Sequence, residues 1–270
     1  MINKCPNCNS HSTELQVTIN RKPERETNFD FSPYQRYIHF CLNCHIFYSD
    51  HYYDFDKDFY NGNYNNSTYK NKLSNTYDKI MALSHTKSDN YLRCERVHSK
   101  LSNLNFKPHQ TNILDVGSGL CVFLGKMKEY GYKGYAVDPD PLSIEHALSY
   151  VGLEGAYCGP VHDCTLDINF DLISLNKVLE HVKNPLNLLK DSLLKLKSGG
   201  LCYIELPDGD TASQQGGFIN REEFFIEHYY IYTENSMKQL MSDCGLKNIT
   251  IEAIHEPSDK YSLVGFGVKP

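Results

Sequence analysis

The stretch that decides the fold is Ile113-Leu114-Asp115-Val116-Gly117-Ser118-Gly119, and Tyr135-Ala136-Val137-Asp138 follows it. Together they predict an apolar strand, a glycine-rich turn, a helix over about 122–130 and a second strand that ends in a carboxylate. Glycines let the backbone approach a ligand closely, and the start of the helix supplies free N–H groups. Asp138, 19 residues after Gly119, can accept hydrogen bonds from two ribose hydroxyls. We therefore expect a ligand that contains a ribose.

Two details separate the possible ribose cofactors. The dinucleotide pattern G-x-G-x-x-G needs glycine at position 122, where the chain has Val122, so NAD and an oxidoreductase are disfavoured. Asp115 would repel a pyrophosphate but suits a cofactor with an ammonium group. S-adenosylmethionine carries such a group.

The same stretch resembles motif I of class I S-adenosylmethionine-dependent methyltransferases, D/E-x-G-x-G-x-G, with Cys121 in place of the third glycine. The resemblance implies an α/β, Rossmann-like sheet with helices on both faces. It also implies that S-adenosyl-L-methionine is the cofactor. The residues that it assigns to the cofactor are Asp115, Gly117, Ser118, Gly119, Asp138, Pro139 and Asn176.

The later chain is similar to the same family over about residue 88 to the C-terminus. A strand over 170–175 leads to Val178-Leu179-Glu180-His181, and a leucine-rich helix begins at Asn184-Pro185. We expect 197–200 to end that helix, 201–207 to form the next strand, and 208–220 to form a polar loop. A helix through Ser242 and a hairpin of 249–254 with 262–268 close the predicted domain.

Two C-x-x-C pairs lie near the N-terminus, separated by 32 residues. This spacing predicts a closed tetrahedral zinc site of four thiolates, and the alternative is four buried thiols without metal. The alternation of residues at 15–19 and 37–40 predicts a small zinc-ribbon hairpin. The predicted ligands are Cys5, Cys8, Cys41 and Cys44.

These signals predict three segments: a zinc-ribbon unit over 1–50, a tyrosine-rich linker and helical lid over 51–87, and the methyltransferase domain over 88–270. The tyrosines of the middle segment could belong to a linker or fold over the cofactor cleft as a lid. A helical stretch is expected from about 68 to 104. The tyrosines are Tyr52, Tyr53, Tyr60 and Tyr64.

Composition limits the setting and the partners. Ten cysteines without a signal peptide indicate a reducing, cytoplasmic location, and no apolar run reaches membrane-spanning length. A net charge of −6 gives no reason to expect a nucleic-acid partner. We therefore expect a small-molecule acceptor.

Histidines are the candidate catalytic groups. His181 and the stretch around His228 should emerge at the carboxyl ends of the strands, where open α/β sheets bind ligands. An imidazole near its ordinary pKa suits removal of a hydroxyl proton at neutral pH, and the Glu227 carboxylate could orient it. Each histidine could instead be a structural residue bound to the backbone.

The four cysteines, the tyrosine-rich connector, V-L-E-H and Glu227-His228-Tyr229 together resemble bacterial sugar methyltransferases. This resemblance implies a nucleotide-linked acceptor, with His228 as base, Glu227 as its support and His181 assisting. Related sugar C-methyltransferases continue with a further α/β domain after the position of Pro270, so we expect O-methylation. The acceptor would be an activated sugar or capsule and lipopolysaccharide precursor, including a phosphate or phosphoramidate oxygen.

Three alternatives stay open. A sugar C-methyltransferase is the first. An RNA or DNA methyltransferase could use the zinc ribbon, although Asn176-Lys177-Val178 lacks the N-P-P-Y or D-P-P-Y box of base-modifying enzymes. In a non-catalytic cofactor-binding protein, Cys121 would disable motif I.

Overall fold

The computed structural model describes residues 4–29, 32–53 and 73–270, and these contain two β-sheets. Tyr60 and Tyr64 lie outside the described residues. In chain order the strands are β1 (Thr13–Ile19), β2 (Arg36–Cys41), β3 (Phe47–Asp50), β4 (Asn112–Val116), β5 (Lys133–Asp138), β6 (Gly155–Cys158), β7 (Phe170–Asn176), β8 (Leu196–Pro207), β9 (Tyr230–Ile231), β10 (Lys247–His255) and β11 (Tyr261–Val268).

Helices connect most of these strands, and α4 continues into a π-helical turn over Ala147–Val151. Within the described ranges no helix combines the length and the apolarity that crossing a bilayer requires. The helices are α1 (Leu73–Met81), α2 (Asp89–Asn103), α3 (Val122–Glu129), α4 (Pro141–His146), α5 (Pro185–Leu194), α6 (Gly209–Gln215), α7 (Gly217–Asn220) and α8 (Glu234–Asp243).

The larger sheet has the strand order β10-β11-β8-β7-β4-β5-β6. β4 pairs in parallel with β5 and β7, and β5–β6 and β7–β8 are also parallel, whereas β11 joins β8 and β10 in antiparallel pairs. Parallel strands need crossover connections, and here most of those are helical. The predicted Rossmann-like sheet is confirmed.

Successive residues of the central strands face different cores, because side chains alternate along a strand. Leu114 and Ile173 pack in one core with residues of α5 and α8. Ile113 and Leu172 pack in the other core with residues of α2 and α3. β4 and β7 are buried along almost their whole length, as expected for parallel strands covered by helices on both faces.

Three local expectations were wrong. β8 begins at Leu196, which pairs with Phe170, so residues 197–200 extend the strand and do not end α5 as a separate turn. The expected loop over 208–220 forms α6 and α7, because the Asp208 side chain caps the first of them by accepting from Thr211 N. The expected helical stretch to residue 104 is interrupted after Met81, and α2 starts anew with Ser88 as its N-cap.

The smaller sheet has the order β1-β2-β3-β9 with antiparallel pairs. Its β1–β2 pair is the predicted hairpin. Its fourth strand, β9, comes from the C-terminal half of the chain, which the sequence did not indicate. The N-terminal unit is therefore joined by backbone hydrogen bonds to the segment that follows His228.

A buried ion pair strengthens this junction. Arg36 is fully buried, its Nη2 lies 3.0 Å from Glu26 Oε1, and its Nη1 donates to the Phe224 carbonyl. Glu26 Oε1 also accepts from Ile226 N at 2.7 Å. The pair therefore fixes the backbone two to four residues before His228.

We predict that Arg36→Met lowers the free energy of unfolding by about 3–5 kcal/mol, because it leaves the Glu26 carboxylate buried without its cation. Urea denaturation followed by circular dichroism measures the change. Arg21→Met, at an exposed arginine of the same unit, should stay within about 0.5 kcal/mol. Equal losses of unfolding free energy in the two variants would contradict a stabilising role of the Arg36–Glu26 pair.

Candidate active site

A cavity of about 830 Å³ lies at the edge of the larger sheet where β4, β5 and β7 end. Its wall includes the turn after β4, the last residue of β5 and the last residue of β7. This is where open α/β sheets bind ligands, and the volume falls in the usual range for ligand pockets. Of the predicted cofactor residues, the cavity wall contains Gly117, Ser118, Gly119, Asp138, Pro139 and Asn176.

The glycine-rich turn has the backbone conformation that its residues suggest. Gly117 has φ +71°, and an added Cβ would lie 2.7 Å from Val178 Cγ2. Gly119 has φ +46° with open space at its Cβ position. Cys121, in place of the third motif glycine, also adopts a left-handed conformation with φ 56° and is the N-cap residue before α3. The cysteine thus occupies a backbone conformation that glycine adopts more readily.

Asp138 is a buried carboxylate at the end of β5. Its Oδ2 accepts from Gly119 N and its Oδ1 from Asp140 N, both at 2.9 Å. Burial raises the pKa of Asp138 to about 6, although the two N–H donors oppose the shift. Each oxygen keeps a lone pair for a further donor, so the carboxylate can accept two ribose hydroxyls.

Asp115 lies behind the cavity wall. Its Oδ1 accepts from Ser174 Oγ at 2.6 Å and from Asn176 Nδ2 at 2.8 Å, and burial raises its pKa to about 7. Asn176 separates this carboxylate from the cavity. The structure thus places Asp115 where it orients Asn176, not where it would contact a cofactor ammonium group.

Of the buried polar atoms that lack a hydrogen-bond partner among the described residues, two belong to predicted cofactor residues of the cavity wall. They are Ser118 Oγ and Asn176 Oδ1. Buried polar atoms are nearly always satisfied, so both favour a polar ligand in the cavity. An ammonium group suits Asn176 Oδ1 and ribose hydroxyls suit Asp138, so this wall fits S-adenosylmethionine.

His181 and His228 meet in the same cavity. Their ring centroids are 4.7 Å apart in an edge-to-face arrangement. His181 Nδ1 lies 3.1 Å from the Glu227 carbonyl oxygen, and His228 Nδ1 lies 2.8 Å from the Glu223 carbonyl oxygen. A carbonyl only accepts, so both Nδ1 atoms carry the proton and both Nε2 atoms carry the lone pair.

The expectation of ordinary histidine pKa values was wrong. Burial lowers the pKa of His181 to about 4 and that of His228 well below its usual value. Lys177 and the neighbouring imidazole add to the lowering at His228. Both rings are therefore neutral at pH 7.

Glu227 supports the pair through its backbone. Its carbonyl oxygen accepts from His181 Nδ1, whereas among the described residues the acceptor from His228 Nδ1 is the Glu223 carbonyl oxygen and not the Glu227 carboxylate. Burial raises the pKa of Glu227 to about 7, and its Oε2 has no hydrogen-bond partner within the described ranges. The expected orientation of His228 by the Glu227 carboxylate is not observed, because the Glu223 carbonyl holds that ring.

Sequence reasoning did not single out Glu180. It lies in the 3₁₀ turn Leu179–His181 after β7, is fully buried and lines the cavity. The sequence predicts a role for the next residue, His181, because histidine is a common general base. The burial that distinguishes Glu180 depends on packing and leaves no sequence signal.

The connector contributes a helix to the cavity wall. Ile80 of α1 and Leu83 line the cavity. Tyr52 and Tyr53 lie elsewhere, and both hydroxyls donate to the Pro33 carbonyl at 2.8 Å.

The four N-terminal cysteines converge on one point. Cys5 Sγ and Cys44 Sγ are 3.7 Å apart, Cys8 Sγ and Cys41 Sγ are 3.6 Å apart, and all four sulfurs lie within 4.8 Å of one another. Zinc–sulfur bonds of about 2.3 Å place the sulfurs of a tetrahedral site about 3.8 Å apart. The cluster thus has the dimensions of a zinc site.

Comparison with known proteins agrees with the geometry. A family model described as a methyltransferase domain matches residues 86–251, which is more than half of the chain. The chain belongs to this methyltransferase family. It is 32% identical over 95 residues to the mitochondrial ubiquinone biosynthesis O-methyltransferase of Schizosaccharomyces pombe. That match covers 33% of the chain and 35% of the relative.

Solved methyltransferases share the fold. Magnesium protoporphyrin IX methyltransferase of Synechocystis PCC 6803, solved with bound SAH, superposes with a TM-score of 0.54 at 12% identity, covering 75% of this chain and 97% of the other. Plantazolicin methyltransferase, also solved with SAH, gives a TM-score of 0.56 at 14% identity, covering 77% and 93%. These likenesses support a class I methyltransferase fold.

We predict that Asp138→Ala weakens S-adenosylmethionine binding ten-fold or more, because a hydrogen bond to a charged group contributes about 1.5–3 kcal/mol. Isothermal titration calorimetry measures the affinity. Wild-type affinity should also fall as the pH drops through about 6, where the carboxylate takes up a proton, and the variant should lack this change.

The matched control is Asp163→Ala, which removes an exposed carboxylate from the turn Val161–Asp163 and should leave the affinity unchanged. Wild-type affinity retained by Asp138→Ala would exclude the ribose contact.

Proposed function

We propose that this methyltransferase transfers a methyl group from S-adenosylmethionine to an oxygen atom of a small-molecule acceptor. The proposal depends mainly on one observation. Two neutral histidines, each oriented by a backbone carbonyl, line the same cavity as Gly119, Asp138 and Asn176. Groups for holding a cofactor and for accepting a proton thus line the same cavity.

The cofactor would be held by residues that the fold has already fixed. Asp138 would accept the ribose hydroxyls, Asn176 Oδ1 would accept the ammonium group, and the backbone at Gly117 and Gly119 leaves room for close approach. When bound, S-adenosylmethionine supplies an electrophilic methyl group on a sulfonium sulfur. The protein's remaining tasks are alignment of the acceptor and removal of its proton.

Alignment contributes more than the base. Holding two reactants in the reactive geometry can lower the activation barrier by about 7–11 kcal/mol, whereas a general base raises the rate roughly 10²–10⁴-fold. A neutral imidazole with its lone pair on Nε2 can accept the proton of an acceptor hydroxyl, although the lowered pKa makes it a weaker base than an exposed histidine. We assign that role to His228, with His181 next to it positioning the acceptor.

The acceptor we propose is a nucleotide-activated sugar or a related surface-glycan precursor, with a phosphate or phosphoramidate oxygen included. Cations at the cavity, among them Arg25, Lys87 and Lys260, suit the phosphates of such a molecule. The resemblance of the chain to sugar methyltransferases favours the same class. Transfer of labelled methyl groups to a panel of nucleotide sugars, glycans and RNA tests the assignment, and labelling of RNA alone would overturn it.

We predict that His228→Ala lowers turnover with the accepted substrate by roughly 10²–10⁴-fold, because the proton acceptor is lost while alignment remains. Cofactor affinity should change little. His162→Ala, at an exposed histidine of the same domain, should retain full turnover. Full turnover in His228→Ala would show that this histidine is structural.

We further propose that Cys5, Cys8, Cys41 and Cys44 hold one structural zinc ion. The sulfur separations support this, and so do the Asn7 and Asn43 side-chain amides, which donate to Cys44 Sγ and Cys8 Sγ. Because β3 of this unit pairs with β9, the ion would also stabilise the segment that follows His228.

Cys41→Ser should lose the zinc and reduce the stability of the smaller sheet, since structural metal binding is coupled to folding. Elemental analysis and thermal denaturation measure the two effects. Cys158→Ser, at an exposed cysteine outside the cluster, should keep one zinc per chain. Equal metal contents in both variants would refute the site.

A further inference from the structure

Glu180 is a buried acid whose carboxylate has no hydrogen-bond partner among the described residues. It is 0% exposed, both of its carboxylate oxygens lack a hydrogen-bond partner among the described residues, and it lines the cavity. Lys177, which lines the same cavity, partly offsets the effect of burial on the pKa of Glu180, but its ion pairs are with two other carboxylates. Its Nζ lies 3.9 Å from Glu205 Oε1 and 3.8 Å from Glu256 Oε1. A buried carboxylate is stable as an anion only when a cation compensates it.

Two further ligand groups lie beside Glu180. One ligand atom each from Glu180, His181 and His228 fall within 4.8 Å of one another. The two chain segments that supply them are tied together, because Tyr229 N donates to the Glu180 carbonyl at 2.8 Å and His181 Nδ1 to the Glu227 carbonyl. The three groups therefore belong to a fixed arrangement.

The orientation of both imidazoles is typical of metal ligands. Metal-bound histidines usually donate their second ring nitrogen to a carbonyl or carboxylate, which fixes the ring and its tautomer. Here the Nδ1 atoms of His181 and His228 donate to backbone carbonyls at 3.1 and 2.8 Å, so Nε2 is the coordinating nitrogen in each ring.

We propose that Glu180, His181 and His228 bind one divalent transition-metal ion in the active-site cavity. Two imidazoles and one carboxylate are a ligand set for ions such as Co²⁺, Fe²⁺ or Zn²⁺, and three protein ligands leave coordination positions open. All three residues line the cavity, so an open coordination position can hold and orient the oxygen of the acceptor. An ion on His228 Nε2 occupies the lone pair that would otherwise accept the proton, so the base role of His228 belongs to the metal-free site; the ion would instead lower the pKa of the coordinated hydroxyl group, whose proton would pass to solvent. Orientation of the acceptor rests on the proposed function, whereas binding of the ion does not.

Cobalt(II) added to the zinc-loaded full chain tests the site. We expect one Co²⁺ per chain beyond the zinc, with visible bands but no sulfur-to-cobalt charge-transfer band, because the ligands contain no thiolate. Glu180→Gln and His228→Gln should each weaken Co²⁺ binding by at least about 10–100-fold. Glu222→Gln, which removes another carboxylate from the same cavity wall, should bind Co²⁺ like the wild type.

Zinc content and calorimetric S-adenosylmethionine affinity, measured on every sample, show whether a variant is folded. If Glu180→Gln loses its zinc or its affinity for S-adenosylmethionine, the Co²⁺ affinity of His228→Gln tests the metal site instead. No Co²⁺ uptake by the wild type, or equal uptake in wild type and folded variants, would overturn the metal site. If Co²⁺ does not bind but S-adenosylmethionine binds normally, the proposed function is unaffected. If S-adenosylmethionine does not bind, the proposed function is refuted, whatever the result with Co²⁺.

Discussion

The parallel pairing of β4 with β5 and β7 is the constraint on which the site depends. Parallel strands in register end at one edge, and there the chain must turn into helices or loops. Three strand ends that are distant in sequence are thereby brought together, and they place Gly119 after β4, Asp138 at the end of β5 and His181 after β7 near one another. The cavity is a consequence of this topology, and the residues at the three strand ends give it its chemistry.

A second set of contacts joins the N-terminal unit to the segments before and after His228. β3 pairs with β9, Thr233 Oγ1 donates to the His45 carbonyl at 2.6 Å, and the buried Arg36–Glu26 pair holds the backbone before His228. The four-cysteine unit is therefore part of the support of the active site. Loss of order in the smaller sheet would move His228, even though none of the four cysteines lines the cavity.

Burial controls the electrostatics of the cavity. Burial lowers the pKa values of His181 and His228, so both rings are neutral. It raises the pKa values of the acids Asp115, Glu180 and Glu227, and that of Glu180 reaches about 8. A buried carboxyl group ionises more readily when a cation lies beside it, and a neutral imidazole keeps a lone pair that can take up either a proton or a metal ion. The groups on which both proposals depend share this low-dielectric environment.

The sequence alone determined what depends on neighbours along the chain. The glycine turn, Asp138 and the paired cysteines were predicted because turn conformation and ligand spacing depend on residues that lie close together in the chain. The tertiary structure decided the rest: Asp115 behind Asn176, the Glu223 carbonyl in place of the Glu227 carboxylate on His228, and the unpaired burial of Glu180. These features depend on solvent exclusion and on contacts between separate elements, which no local spacing specifies.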